Sequence, residues 1–257
     1  SVNIELYMSD FYSPKRTYDI YNPSSKLPFK LSRSRIENFI SCPRCFYIDR
    51  RLGIDKPPPY PYTLSSAVDK LLKKEFDIHR ANGTIHPLMK HYGVDAIPMP
   101  HRLLDEWRNP RIGMRFLHKP TNLLVFGGVD DIWQDKSQRL VVVDYKSTAK
   151  TQEVNIDAPW QISYKRQVEV YQWLFRKNGF DVSSVAYFVY CNGITDKEAF
   201  DAKLEFDIKL IPYKGSDEWV EKALFKIKEC LDDNKIPKAA SDCDYCAYRK
   251  GTHVVEG

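Results

Sequence analysis

Two short stretches, Gly128-Val129-Asp130 and Val143-Asp144-Tyr145-Lys146, carry residue types that could do chemistry. Each places a carboxylate at or near the end of an apolar, β-branched run, and the second adds a lysine two residues on. Carboxylate oxygens suit a hard divalent cation such as Mg²⁺ or Mn²⁺. Such an ion polarises a phosphoryl oxygen and lowers the pKa of bound water, so Asp130, Asp144 and Lys146 are the minimum for hydrolysing a phosphodiester. Side chains alternate along a strand, which puts Asp144 and Lys146 on one face. From there the ammonium can orient water or offset developing charge. Asp131 falls on the face opposite Asp130 and reads as a solvated or salt-bridged neighbour. An isolated Asp-x-Lys is more often a surface pair, so the order of further motifs decides its meaning.

The elements that must position these residues are legible in outline. Ser34-Arg35-Ile36-Glu37 has the form of a capping box, and Ile36, Phe39 and Ile40 follow at helical spacing. Lys56-Pro57-Pro58-Pro59-Tyr60-Pro61 breaks regular structure. A helix is predicted over 64–81, ended by Asn82-Gly83, and a shorter one over 102–108. Strands are predicted over 123–134 and 139–146, joined as a hairpin by Asp135–Gln138. A long helix over 160–177, strands over 182–191 and 202–210, and an amphipathic helix over 217–233 complete the pattern. Helix, hairpin, helix, two strands, helix is the order of an α/β core, a mixed sheet flanked by helices. We expect an arm over 1–30 and a single domain over 31–257.

Six cysteines in 257 residues include two CxxC pairs at opposite ends, Cys42 with Cys45 and Cys243 with Cys246. Four thiolates so paired suit zinc or an iron–sulfur centre, and would staple the ends of the chain around its core. Cys191 and Cys230 sit in strand and helix patterns and read as core residues. His253 reads as a tail residue. The opening SVNIELYMSDFYSPKR lacks the layout of a secretion signal, so the expected location is cytoplasmic. No apolar run is long enough to span a bilayer, so no membrane partner is expected. A net charge of +5 is compatible with nucleic acid without requiring it.

Gly-x-Val-Asp, then Asp-x-Lys after a hairpin, then Gln167-x-x-x-Tyr171 on the next helix resembles the PD-(D/E)xK nucleases. It is most similar to the RecB-like branch, which includes the nuclease domains of recombination helicase–nucleases and the CRISPR-associated four-cysteine exonucleases. The resemblance covers about Ser34 to Tyr248 and implies a restriction-endonuclease-like core. It implies that Asp130 and Asp144 hold Mg²⁺ or Mn²⁺, with the Tyr145 main-chain carbonyl as a further ligand. It also implies that Lys146 assists the water and that Gln167 and Tyr171 shape the site.

RecB-like members usually carry a histidine on the helix before the hairpin. Asp69 holds that place here, in Ser65-Ser66-Ala67-Val68-Asp69-Lys70-Leu71-Leu72, and is expected to point inward as a metal ligand or as the partner of a buried Arg. In similar nucleases one N-terminal and three C-terminal cysteines hold a [4Fe–4S] cluster. Here the last C-terminal cysteine is absent and Cys45 supplies a fourth thiolate, so the resemblance favours the cluster, with Zn²⁺ as the alternative.

The activity implied is a metal-dependent deoxyribonuclease, an exonuclease on single-stranded DNA or free ends in recombination, repair or defence, working with a helicase or a CRISPR or repair partner. The competing reading is a non-catalytic nucleic-acid-binding scaffold that keeps the fold. Trp160, Tyr164 and Arg166 interleave aromatic and basic character ahead of Gln167 and are candidate contacts to a single strand; packing of both rings in the core is the rival. Arg33, Arg35, Arg44, Arg50 and Arg51 give the first helix a basic character suited to backbone phosphates, or a solvated face.

Overall fold

The computed structural model describes residues 15–57 and 63–257. The first half of the expected arm, residues 1–14, and most of the proline break, residues 58–62, lie outside the described residues. In chain order the strands are β1 (Phe29–Ser32), β2 (Ala96–Pro98), β3 (Met114–His118), β4 (Leu123–Gly127), β5 (Asp131–Asp135), β6 (Leu140–Thr148), β7 (Val185–Gly193) and β8 (Phe206–Lys214). The helices are α1 (Arg33–Ser41), α2 (Pro43–Arg50), α3 (Thr63–Asn82), α4 (Pro87–His91), α5 (Leu104–Arg108), α6 (Ile162–Lys177), α7 (Glu218–Asp232) and α8 (Asp244–Glu256). The strands form two sheets, β1-β4-β3 and the mixed sheet β2-β5-β6-β7-β8. The described residues group into two compact units, one of 15–57, 117–124 and 221–257 and one of 63–116 and 125–220.

The second unit carries the mixed sheet. β5 and β6 are the expected hairpin: they pair antiparallel, Asp131 opposite Val143. The turn closes through Gln138 N–H to Asp135 O at 2.9 Å, with Gln138 in the left-handed region at φ 62°. β6 then pairs parallel with β7, Asp144 opposite Phe188, and β8 returns antiparallel. A parallel neighbour requires a crossover, and α6 supplies it. From Leu140 to Tyr145 every residue of β6 is buried, as both faces of this central strand are covered.

Alternation along β6 sorts its residues. Val141, Val143 and Tyr145 join Leu72 and Phe76 of α3, Trp133 of β5 and Val189 of β7 in one apolar core. Phe76 stacks on both Trp133 and Tyr145, with ring centres 5.4 and 5.8 Å apart. The intervening Asp144 and Lys146 therefore face the other way, toward α6.

Several boundaries differ from the sequence reading for local reasons. The run over 123–134 is two strands, because the chain leaves the ladder at Gly128-Val129-Asp130. A Cβ on Gly128 would lie 3.1 Å from the backbone of Asn109 and Pro110, so a larger residue here would require that backbone to give by a few tenths of an ångström. The strand expected over 202–210 is β8, four residues further on, since Asp201 and Ala202 both take positive φ in a turn. α1 starts after Ser32, not at Ser34, and no side chain caps it.

Asp131 is the polar anchor of this unit. It has no exposed surface, pairs with Arg80 and with Arg108 (2.9 Å), and accepts from the Tyr145 hydroxyl at 2.8 Å. It is thus salt-bridged and not solvated. Arg108 also donates to the Asp130 carbonyl at 3.1 Å, tying down the backbone at Asp130.

Removing one partner of a buried ion pair strands the other charge. Asp131→Ala should therefore lower unfolding free energy by about 3–5 kcal/mol. The exposed pair Lys197–Glu205 sets the control, where Glu205→Ala should cost less than about 1 kcal/mol. Urea denaturation of the two variants checks both values.

Candidate active site

The second unit gathers Asp130, Asp144, Lys146, Gln167 and Tyr171. Asp130 ends the Gly128 crossing, and its Oδ2 accepts the Tyr145 backbone N–H at 2.9 Å. That bond fixes its carboxylate against the strand segment that carries Asp144. Asp144 has no exposed surface and ion-pairs with Lys146. Among the described residues no hydrogen-bond donor other than the Lys146 ammonium reaches its carboxylate oxygens. The Lys146 ammonium also donates to Gln167 Oε1 at 3.3 Å, and Gln167 Nε2 donates to the Tyr171 hydroxyl at 3.2 Å. The spacing of four residues on α6 puts Gln167 and Tyr171 on one face, as expected. A connected line thus runs from Asp144 through Lys146 and Gln167 to Tyr171.

Electrostatics follow from this crowding. Burial, and then the charge of Asp144, push the Asp130 carboxyl up to about 6. Burial works to lower the Lys146 pKa, but Asp144 and Asp130 outweigh it and hold the ammonium charged above its ordinary range. Three carboxylates, Asp69, Asp130 and Asp144, share two lysines, Lys73 and Lys146, which leaves surplus negative charge that a divalent ion would neutralise. Asp130 and Asp144 are the residues here that fit such an ion. The observation that supports this is the buried Asp144 carboxylate, which has a single described donor, the Lys146 ammonium, for its two oxygens, an arrangement that a further cation would complete.

Asp69 stands differently from the sequence expectation. Its side chain is 33% exposed, so it lies toward the rim and not inward, and its partner is Lys73 at 2.8 Å and not an arginine. Lys73 lies 3.7 Å from Asp130 as well, so its ammonium links the two carboxylates. Among the described residues, Asp69, Asp130 and Asp144 do not form a group of ligand atoms close enough to share one ion. Sequence reading missed Lys73, although its place four residues after Asp69 on a helix was the available signal.

Trp160 and Tyr164 lie at the start of α6. Trp160 is 54% exposed and meets Tyr164 edge-on at 5.4 Å, so it is not a core residue. Lys146 lies over the Tyr164 ring at 4.5 Å, which connects this aromatic pair to the carboxylate–lysine line. Lys150 lies over Trp160 at 5.1 Å, a second basic residue that the sequence reading passed over. Arg166 is half-buried on the same helix.

The first unit holds the four cysteines. Cys42 and Cys45 straddle the start of α2, and Cys243 and Cys246 straddle the start of α8. Their four sulfurs lie within 4.8 Å of one another, so the expected joining of N- and C-terminal segments is present. Thiolates so gathered can hold zinc or an iron–sulfur centre. His253 is not part of this set. Cys191 is in the apolar core of the second unit, as expected, whereas Cys230 is only half-buried on α7.

A buried carboxylate beside a partly exposed one, a paired lysine and a Gln-x-x-x-Tyr helix face thus lie together in the second unit. The chain belongs to the PD-(D/E)XK nuclease superfamily, whose family profile matches residues 63–250. Membership implies nuclease chemistry on nucleic acid with a divalent metal. Among the solved structures similar to this chain is that of SSO0001, at 14% identity and a TM-score of 0.40, covering 86% of this chain and 84% of that one. No curated protein matches the sequence. Among the described residues no helix is long and apolar enough to cross a membrane.

The raised pKa of Asp130 has a sign that can be checked in metal-free protein. A carboxyl whose folded pKa lies above its unfolded value contributes stability that is full below about pH 4 and lost as pH rises through about 6. With EDTA present, Asp130→Asn should melt several degrees above wild type at pH 8, and the gap should close by pH 4.5. Thermal unfolding monitored by circular dichroism at both pH values checks it.

Proposed function

We propose that this chain is a Mg²⁺- or Mn²⁺-dependent deoxyribonuclease, built as one nuclease domain over 31–257, that acts on single strands or free DNA ends as an exonuclease. The observation that carries this reading is the Asp144 carboxylate, fully buried beside Asp130 and met among the described residues by no donor other than the Lys146 ammonium. Asp130 and Asp144 would hold the ion, with the Tyr145 carbonyl as a further ligand. When bound, the ion supplies Lewis-acid polarisation of the phosphoryl oxygen and a lowered pKa for water. Lys146 keeps a charged ammonium at the carboxylate pair, placed to orient water or to stabilise charge as the phosphorane develops. Gln167 fixes that ammonium from the side of α6, and Tyr171 fixes Gln167.

Asp69 acts through Lys73: the pair supports Asp130, and a cation shared by all three carboxylates would have to displace the Lys73 ammonium. Trp160 offers an exposed ring for a base to stack on, with Lys150 and Arg166 available to phosphates. In the cell, a helicase or a repair or defence complex would supply the free ends.

Asp144→Asn and Lys146→Ala should each reduce cleavage of end-labelled single-stranded DNA in Mn²⁺ by at least about 100-fold, the scale of losing one group that stabilises transition-state charge. Their circular dichroism spectra should match wild type. Retained cleavage in either folded variant contradicts the assignment. Trp160→Ala should weaken binding of single-stranded DNA by about 1–3 kcal/mol, read by fluorescence anisotropy with Ca²⁺ in place of Mn²⁺. An unchanged affinity would return Trp160 to a purely structural part.

A further inference from the structure

The four-cysteine centre has dimensions that discriminate between its possible occupants. Cys45 Sγ lies 3.6 Å from Cys243 Sγ and 3.5 Å from Cys246 Sγ, and Cys42 Sγ lies 3.8 Å from Cys246 Sγ. All four sulfurs fall within 4.8 Å of one another. A single tetrahedral ion bonded to thiolates at about 2.3 Å holds its sulfurs about 3.8 Å apart, the edge of that tetrahedron. In a four-iron cluster each thiolate takes a different corner of the cube, which drives the sulfurs apart to roughly 6 Å or more. The observed spacing matches the single ion and leaves no room for the cube. The [4Fe–4S] cluster that the family resemblance favours therefore does not fit these residues.

The local architecture points the same way. Each CxxC places one cysteine just before a helix and the other in its first turn, Cys42 and Cys45 on α2 and Cys243 and Cys246 on α8. The site is therefore two equivalent two-sulfur clasps. An all-sulfur tetrahedral set with no open position is the arrangement of a structural zinc site, and such sites contribute folding energy directly.

We infer that Cys42, Cys45, Cys243 and Cys246 hold one structural Zn²⁺ ion in place of an iron–sulfur cluster. The test is metal and acid-labile sulfide analysis of full-length protein, purified without oxygen from cells supplied with both iron and zinc. About one zinc per chain, no sulfide and a colourless solution are expected. About four iron and four sulfide per chain with brown absorption would overturn the inference, as would one iron per chain in place of zinc. A metal-free chain would overturn it equally.

Exchange with Co²⁺ gives a second reading that does not depend on a variant folding. Intense visible bands of a tetrahedral thiolate complex are expected, and weak octahedral bands alone would contradict the site. Cys45→Ser and Cys246→Ser should each lose the zinc and lower the melting temperature. Neither readout depends on DNA cleavage, so this inference and the nuclease reading stand or fall separately.

Discussion

A carboxylate removed entirely from water keeps its charge only if something replaces the lost hydration. Asp144 is in that position: it has no exposed surface and, among the described residues, no donor to its oxygens besides its ion-pair partner, Lys146. The rest of the second unit can be understood as the means of holding this arrangement. β6 carries Asp144 into the centre of the mixed sheet, the Phe76–Tyr145 stack locks the opposite face, and α6 brings Gln167 to the lysine. Asp130 arrives from the Gly128 crossing and is pinned by the Tyr145 backbone N–H.

The adjacent pair Asp130-Asp131 shows how one step of alternation separates two jobs. Asp131 turns into a network with Arg80, Arg108 and the Tyr145 hydroxyl, and Asp77 pairs with both arginines, so two carboxylates face two guanidiniums. Asp130 turns toward Asp144, where negative charge is in excess and its own pKa rises. The structural aspartate makes the strand rigid so that the functional one can remain under-compensated. This contrast between a satisfied and an unsatisfied carboxylate separates anchor from site.

Much of this was legible in the sequence because the motifs are local. The hairpin, the Asp-x-Lys strand face and the Gln-x-x-x-Tyr helix face follow from periods of two and of 3.6 residues. The break at Gly128 was not legible, because the backbone packed against it, Asn109-Pro110, is distant in sequence. The inward Asp69 was misjudged for a related reason: sharing a helix face with Leu72 and Phe76 did not reveal Lys73 one turn on, which draws the carboxylate to the rim. Pairing of the cysteines followed from the two CxxC motifs, whereas the spacing of their sulfurs could be known only from the way α2 and α8 begin.

The account depends on a divalent ion held by Asp130 and Asp144. Its most direct measurement is electron paramagnetic resonance titration of Mn²⁺ into protein whose cysteine centre is already filled, comparing wild type with Asp144→Asn at pH 8. The account predicts a saturable Mn²⁺ site in wild type that is lost or weakened at least about tenfold in the variant. Equal Mn²⁺ binding by the two proteins, or none by folded wild type, would contradict it.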